Sequence, residues 1–201
     1  MNIVYGGSFN PPTKAHKLII DKLFQIFMPD NIIVVPVGNS YGKKGLIEFN
    51  HRLNMAKLLD NRVVTSDFED KEEYTGTYSL LNYLSEYYSD LYYVIGSDNL
   101  KKLDTWINYK QLLTDYKFIV FNRYGLDLSE IIEEKYPEFK NHFVIVELNL
   151  DVSATDFREN KNRDVITDEV YNYIVENNLY GVNEKWKMDF WNLLTLLLEF
   201  I

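Results

Sequence analysis

The 201 residues predict an α/β fold: a doubly wound, mostly parallel sheet with helices on both faces and a helical tail at the C-terminus. Three observations carry that expectation. Apolar runs without alternation recur at residues 3–5, 32–37, 91–95, 118–121 and 143–146, as strands buried on both faces require. Stretches with apolar residues at helical spacing separate them, the first holding Leu18, Ile19, Leu23, Phe24 and Phe27. Two of the runs end in glycine and a polar loop, at Gly6-Gly7-Ser8 and Gly96-Ser97-Asp98, and strand ends of that kind line the ligand crevice of a doubly wound sheet.

Composition narrows the class. The length fits one domain with enough core to fold unaided, and 46% hydrophobic with 25% charged residues is ordinary for a soluble globular protein. With no cysteine the chain has neither disulfides nor thiolate metal sites, which is compatible with a reducing, cytoplasmic setting. No basic-then-apolar leader precedes the first strand, so no secretory signal is expected. A net charge of −9 argues against broad nucleic-acid binding. An acidic protein that binds an anion must gather its cations locally, and Lys14, Lys43, Lys44, Arg123 and Arg158 all fall in predicted loops or at helix starts.

In chain order, the first strand runs into Gly6-Gly7-Ser8-Phe9-Asn10-Pro11-Pro12-Thr13-Lys14-Ala15-His16 and then into a helix. A helix N-terminus after a glycine turn offers backbone N–H groups and partial positive charge, which suit phosphate. Thr13, Lys14 and His16 add a hydroxyl and two possible cations; the plain alternative is an ordinary turn with a surface histidine. After strand 32–37, the glycine-punctuated loop 38–45 carries Lys43 and Lys44, either phosphate contacts or a solvated pair. A helix over 48–59 and a short strand over 62–65 follow, then an acidic stretch, 67–73, that reads as solvated surface. Tyr74 and Thr75 precede a helix that Thr77 would cap. Beyond strand 91–95, Asp98 offers a carboxylate suited to a vicinal diol, or a helix cap. Trp106 is either core or a stacking surface. Arg123 follows the fifth strand and could bind a phosphate bidentately or pair with a surface carboxylate. After the sixth strand, Ser153 can cap a helix through Asp156, and a last helix spans 168–177. The tail, 182–201, is apolar nearly all round but too short for a membrane span of about 20 mostly apolar residues. It is expected to meet a neighbouring subunit or a further domain, leaving residues 1–181 as the main domain.

The opening motif resembles the first signature, G-G-[ST]-F-D-P-x-H-x-G-H, of the nucleotidyltransferases related to class I aminoacyl-tRNA synthetases, and within them the nicotinate- or nicotinamide-mononucleotide adenylyltransferases. Asn10, Thr13 and Ala15 depart from the usual Asp, His and Gly. The eukaryotic branch resembles G-S-F-N-P-x-T-x-x-H and shares the first two. Val152-Ser153-Ala154-Thr155-Asp156-Phe157-Arg158 resembles the second signature, I-S-S-T-x-[IL]-R. Between them, Tyr74-Thr75, Ile95-Gly96-Ser97-Asp98-Asn99-Leu100, Trp106 and Arg123 fall where the family has its Y-T step, its I-G-x-D-x-L, its stacking tryptophan and the Arg of R-P-G. The likeness runs over residues 2–180 and ends on a Y-I-x-x-x-x-L-Y pattern from Tyr173 to Tyr180.

The resemblance implies a Rossmann-like domain that joins ATP to nicotinate mononucleotide, giving the deamido-NAD dinucleotide and pyrophosphate. It implies Mg²⁺ held by substrate phosphates and water, with no metal ligand from the protein. His16, Thr13 and Arg158 would act on the reacting phosphates, with Gly7, Ser8, Phe9, Asn10, Gly96, Ser153 and Thr155 around ATP. Tyr74, Thr75, Asp98, Trp106 and Arg123 would hold the mononucleotide, and Lys14, Lys43 or Lys44 would meet phosphate. Nicotinamide mononucleotide, phosphopantetheine or a polyol phosphate are the alternative acceptors, and a nucleotide sensor without turnover is the alternative of a different class.

Overall fold

The computed structural model describes residues 1–182 apart from 72–73, 123–124, 126 and 149–153. Arg123, Ser153 and almost all of the apolar tail therefore lie outside the described residues. Six strands form, β1 (Asn2–Gly7), β2 (Asn31–Pro36), β3 (Val64–Thr65), β4 (Leu91–Gly96), β5 (Lys117–Asn122) and β6 (Phe143–Glu147). They make one sheet in the order β3-β2-β1-β4-β5-β6, every pairing parallel. The expected doubly wound sheet is thus the architecture observed.

The strands lack hydrophobic alternation because both faces are covered. Ile3, Tyr5, Ile32, Val34, Val94, Ile119 and Phe121 pack on one side with α1 (Lys14–Phe27) and with Ala56 of α2 (Phe49–Lys57). The residues between them, Val4, Ile33, Val35, Tyr93, Ile95, Phe118 and Val120, pack on the other. There they meet leucines of α4 (Thr77–Ser85) and α6 (Tyr109–Asp115), and Leu128 and Ile132 of α7 (Leu128–Lys135). A third cluster joins Met55 of α2 to Phe157 of α8 (Ala154–Asn160) and Ile174 of α9 (Asp168–Glu176). It fixes the second signature helix beside the sheet.

Local differences from the sequence reading have identifiable causes. Only Val64 and Thr65 pair as β3, because Arg62 turns back to bind Asp60 through Nε and Nη2 at 2.9 and 2.7 Å and lies 4.0 Å over the Phe24 ring. Thr77 does not cap α4: Gly76 holds that position at φ +101, where a Cβ would also meet Ile107 at 2.9 Å. The acidic stretch is not wholly solvated. Phe68–Lys71 form helix α3, on which Glu69 is only 7% exposed. Ser97–Leu100, read as loop, close one helical turn, α5. Among the described residues no helix is long and apolar enough to cross a membrane.

Candidate active site

The cleft begins where two strands part. The β1 ladder to β4 stops at Tyr5 opposite Val94, while its ladder to β2 continues to Gly7 opposite Pro36. This is the reversal in strand order, where a crevice opens outside the carboxyl ends of parallel strands. A Cβ on Gly6 would run into the Tyr93 hydroxyl, so any larger residue there would displace the tyrosine from the crevice wall. Phe9 then takes a left-handed conformation at φ +46 and buries its ring edge-on against Tyr5, 5.5 Å between centroids, and 5.0 Å from the His16 ring.

Two adjoining cavities occupy the crevice. The larger, about 380 Å³, is lined by Gly7, Ser8, Phe9, Asn10, His16, Lys43, Lys44, Gly96, Asp98, Thr155 and Arg158, among others. The smaller, about 270 Å³, shares Gly7, Ser8, Lys43 and Asp98 and adds Glu69, Tyr74, Tyr93 and Trp106. Residues distant in sequence are thereby brought together in one cleft. Of the described nominated residues three are not on either wall: Lys14 and Thr75 are exposed beside the cleft, and Thr13 is fully buried beneath it.

Thr13 acts through its neighbour. It caps α1, and its backbone N–H donates to His16 Nδ1 at 2.9 Å, with its hydroxyl 2.8 Å from the same nitrogen. An accepting Nδ1 puts the proton of the neutral ring on Nε2, making the other edge a donor. The first turn of α1 carries no acidic residue, so nothing in that turn offsets its positive end. Of the two loop lysines, Lys43 is the one bonded to the glycine turn, its Nζ donating to Ser8 Oγ at 2.8 Å.

The second signature is tied to the first by Arg158. Its Nη1 donates to the Asn10 carbonyl at 2.7 Å and its Nη2 to Thr155 Oγ1 at 2.9 Å. The Asn10 side chain is a junction of its own. Nδ2 donates to the Gly45 carbonyl at 2.9 Å, and Oδ1 accepts from the Ile47 N–H at 3.3 Å and the Tyr180 hydroxyl at 2.8 Å. One neighbour is acceptor-only and another donor-only, so the amide has a single orientation and an aspartate would face the Gly45 carbonyl without a proton to give. Burial pushes the Tyr180 phenol well above its usual range, keeping it a neutral donor.

Two residues escape the sequence reading. Arg52 is completely buried. Its Nε donates to Ile47 O at 3.0 Å, Nη1 to Val37 O at 2.6 Å and Ser8 O at 3.2 Å, and Nη2 to Asn39 Oδ1 at 3.2 Å. It therefore pins the glycine turn to the loop after β2, and burial lowers its pKa. A signal was present: Phe49, Arg52 and Met55 share the buried face of α2, so an arginine stands on an apolar stripe. Glu69, the second, sits in a charge run that hides it. Among the described residues no group of three or more His, Asp or Glu side chains could hold a metal ion.

Residues 4–160 match the cytidylyltransferase-like family. A protein of Acholeplasma laidlawii named "Probable nicotinate-nucleotide adenylyltransferase" is 40% identical, over 90% of this chain and 97% of its own. A Fusobacterium nucleatum protein of the same name is 36% identical, over 82% and 89%. The solved Plasmodium falciparum nicotinic acid mononucleotide adenylyltransferase complexed with NaAD superposes with a TM-score of 0.75 at 28% identity, over 90% of this chain and 98% of that one. The chain belongs to the cytidylyltransferase-like family, and within it to the nicotinate-nucleotide adenylyltransferases.

Proposed function

We propose that the cleft joins ATP to nicotinate mononucleotide, forming the deamido-NAD dinucleotide and releasing pyrophosphate. One observation carries the reading: two cavities of unlike chemistry share the glycine turn as their common wall. The half with His16, Thr155 and Arg158 suits a triphosphate, and the half with Trp106 and Tyr74 suits a pyridine nucleotide. The phosphates of the two substrates then meet beside Gly7, Ser8 and Lys43.

The acceptor phosphate is already an ionised nucleophile, so the reaction needs neither a covalent protein intermediate nor a general base. One of its oxygens attacks the α-phosphorus of ATP, and the bond from that phosphorus to the bridging oxygen of pyrophosphate breaks. The protein aligns the two and neutralises the growing charge. His16 donates from Nε2, Thr155 from its hydroxyl, and Arg158 from the guanidinium N–H groups that Asn10 and Thr155 do not take. Lys43, steadied by Ser8, adds a positive charge at the shared wall; Lys44 stands further along it, and Lys14 lies outside.

Asp98 accepts from ribose hydroxyls and Trp106 stacks on the pyridine ring, with Tyr74 at the ring's edge; Thr75, exposed beside the cleft, keeps only the role that the family resemblance suggests. Thr13 and Asn10 position His16 and Arg158, while Phe9 supports the turn from below. Ser153 and Arg123 keep the roles at ATP and at the acceptor phosphate that the family resemblance suggests. Mg²⁺ enters as part of the nucleotide complex, on phosphate oxygens and water.

Pyrophosphate release, measured with ATP and each acceptor in turn, tests the proposal. Release with nicotinate mononucleotide is expected. Release only with phosphopantetheine or a polyol phosphate overturns the acceptor, and ATP binding without release from any acceptor would make the protein a sensor.

A further inference from the structure

Glu69 is the buried group that the mechanism leaves unused. It is 7% exposed, stands on α3 and lines the same cavity as Tyr74 and Trp106. One carboxyl oxygen is engaged, because Gly38 donates its backbone N–H to the side chain. Oε2 has no hydrogen-bond partner and is out of contact with water. A buried carboxyl oxygen without a partner is costly, and a purely structural glutamate would be expected to have both satisfied. Its location is also fixed, since Gly38 packs so closely on the Glu69 carbonyl that no Cβ fits between them.

We infer that Glu69 reads the substituent on the acceptor's pyridine ring and sets the choice between a carboxylate and an amide there. The inference rests on the acceptor reading above. Among the described residues, a ring stacked on Trp106 shares this cavity with one wall carboxyl besides Asp98, which the ribose takes. Once a side-chain rotation brings Oε2 from beneath the wall to the cavity, a protonated Glu69 donates a hydrogen bond to a ring carboxylate. An ionised Glu69 repels that carboxylate and accepts instead from the amide of a nicotinamide.

Burial pushes the Glu69 carboxyl above its ordinary range, outweighing the Gly38 hydrogen bond that favours the charged form. Among the described residues, the other titratable groups on this cavity are Lys43 from the loop after β2, Tyr74, Tyr93 of β4 and Asp98 of α5. Asp70 and Lys71 follow on α3 itself, and Arg52 reaches Asn39, at the loop where α3 packs.

The experiment measures kcat/KM for nicotinate and nicotinamide mononucleotide from about pH 5 to about pH 9, with an inhibition constant where an acceptor binds without turnover. Both acceptors carry the same phosphate and react with the same ATP, so those titrations cancel in the ratio. The wild-type preference for nicotinate is expected to fall about tenfold or more as pH rises, the worth of one hydrogen bond to a charged group. Glu69→Gln, which keeps a donor and an acceptor at every pH, is expected to flatten the profile while leaving ATP affinity unchanged. A wild-type ratio that is constant with pH overturns the inference without touching the acceptor reading, and so does a Gln variant that tracks the wild type. If neither pyridine mononucleotide is a substrate or ligand, the acceptor reading falls and the role of Glu69 falls with it. The wild-type profile decides even where a variant fails to fold.

Discussion

Arg158 holds the backbone carbonyl of Asn10 at 2.7 Å, joining residues 148 positions apart at the mouth of the cleft. Each of the two signatures thus helps to place the other. Arg158→Ala is expected to cut kcat at least about 100-fold, by comparison with loss of one oriented donor. It should also lower stability by about 1–2 kcal/mol, since the Asn10 carbonyl loses a charged partner. Arg158→Lys keeps the charge but not the fork, and should recover stability more than rate. Equal recovery of both, in turnover and urea denaturation, would reduce Arg158 to a structural tie.

His16 has two separable jobs, one at each ring nitrogen. His16→Asn places an oxygen near the position of Nδ1, so the Thr13 N–H keeps an acceptor while the donor at Nε2 is gone. The expected result is a loss of turnover of about 100-fold or more with a melting temperature close to wild type. His16→Ala removes both functions and should melt lower by the worth of a cap, about 1 kcal/mol. An Asn variant that retains turnover would place the chemistry elsewhere in the cleft.

The legible part of the molecule is the part that repeats simple physics. Apolar runs without alternation, such as residues 32–37 and 118–121, announce strands covered on both faces, and the glycines that end β1 and β4 mark the crevice. Arg52 and Glu69 were less legible, because a charged residue in sequence reads as surface until its partners are known. The partners of Arg52 are backbone carbonyls from two separate loops, the glycine turn and the loop after β2, and no local pattern announces those. Thr13 shows the opposite limit: its place beside His16 was clear, but whether it faced ligand or lay beneath needed coordinates.

Trp106 is half-buried on the wall of the smaller cavity, edge-on to Tyr93 at 6.2 Å between centroids. Stacking on a pyridine ring would affect one substrate only. Trp106→Ala is expected to raise the KM for the mononucleotide by about tenfold or more, taking stacking at about 1–3 kcal/mol per ring. The KM for ATP should change little. Initial rates with each substrate varied in turn make the comparison, and an equal loss for both would make Trp106 part of the core.

Arg52 gives the strongest stability prediction. Its four hydrogen bonds reach Ser8, Val37, Asn39 and Ile47, so removing it leaves partly buried carbonyls unpaired at both ends of the loop after β2. Each unsatisfied buried group costs about 1–3 kcal/mol. Arg52→Met fills much of the volume without donating, and should destabilise by about 3 kcal/mol or more, lowering the urea midpoint with little change in slope. Arg52→Lys retains the charge and reaches fewer of the four acceptors, so it should fall between. At temperatures where both variants remain folded, slack in the Ser8 turn should raise the KM for ATP more than that for the mononucleotide. The triphosphate meets Ser8 and Lys43 together, whereas the pyridine ring rests on Trp106. A Met variant with the wild-type midpoint would show that water or neighbouring donors satisfy those carbonyls, and that Arg52 does not hold the two loops together.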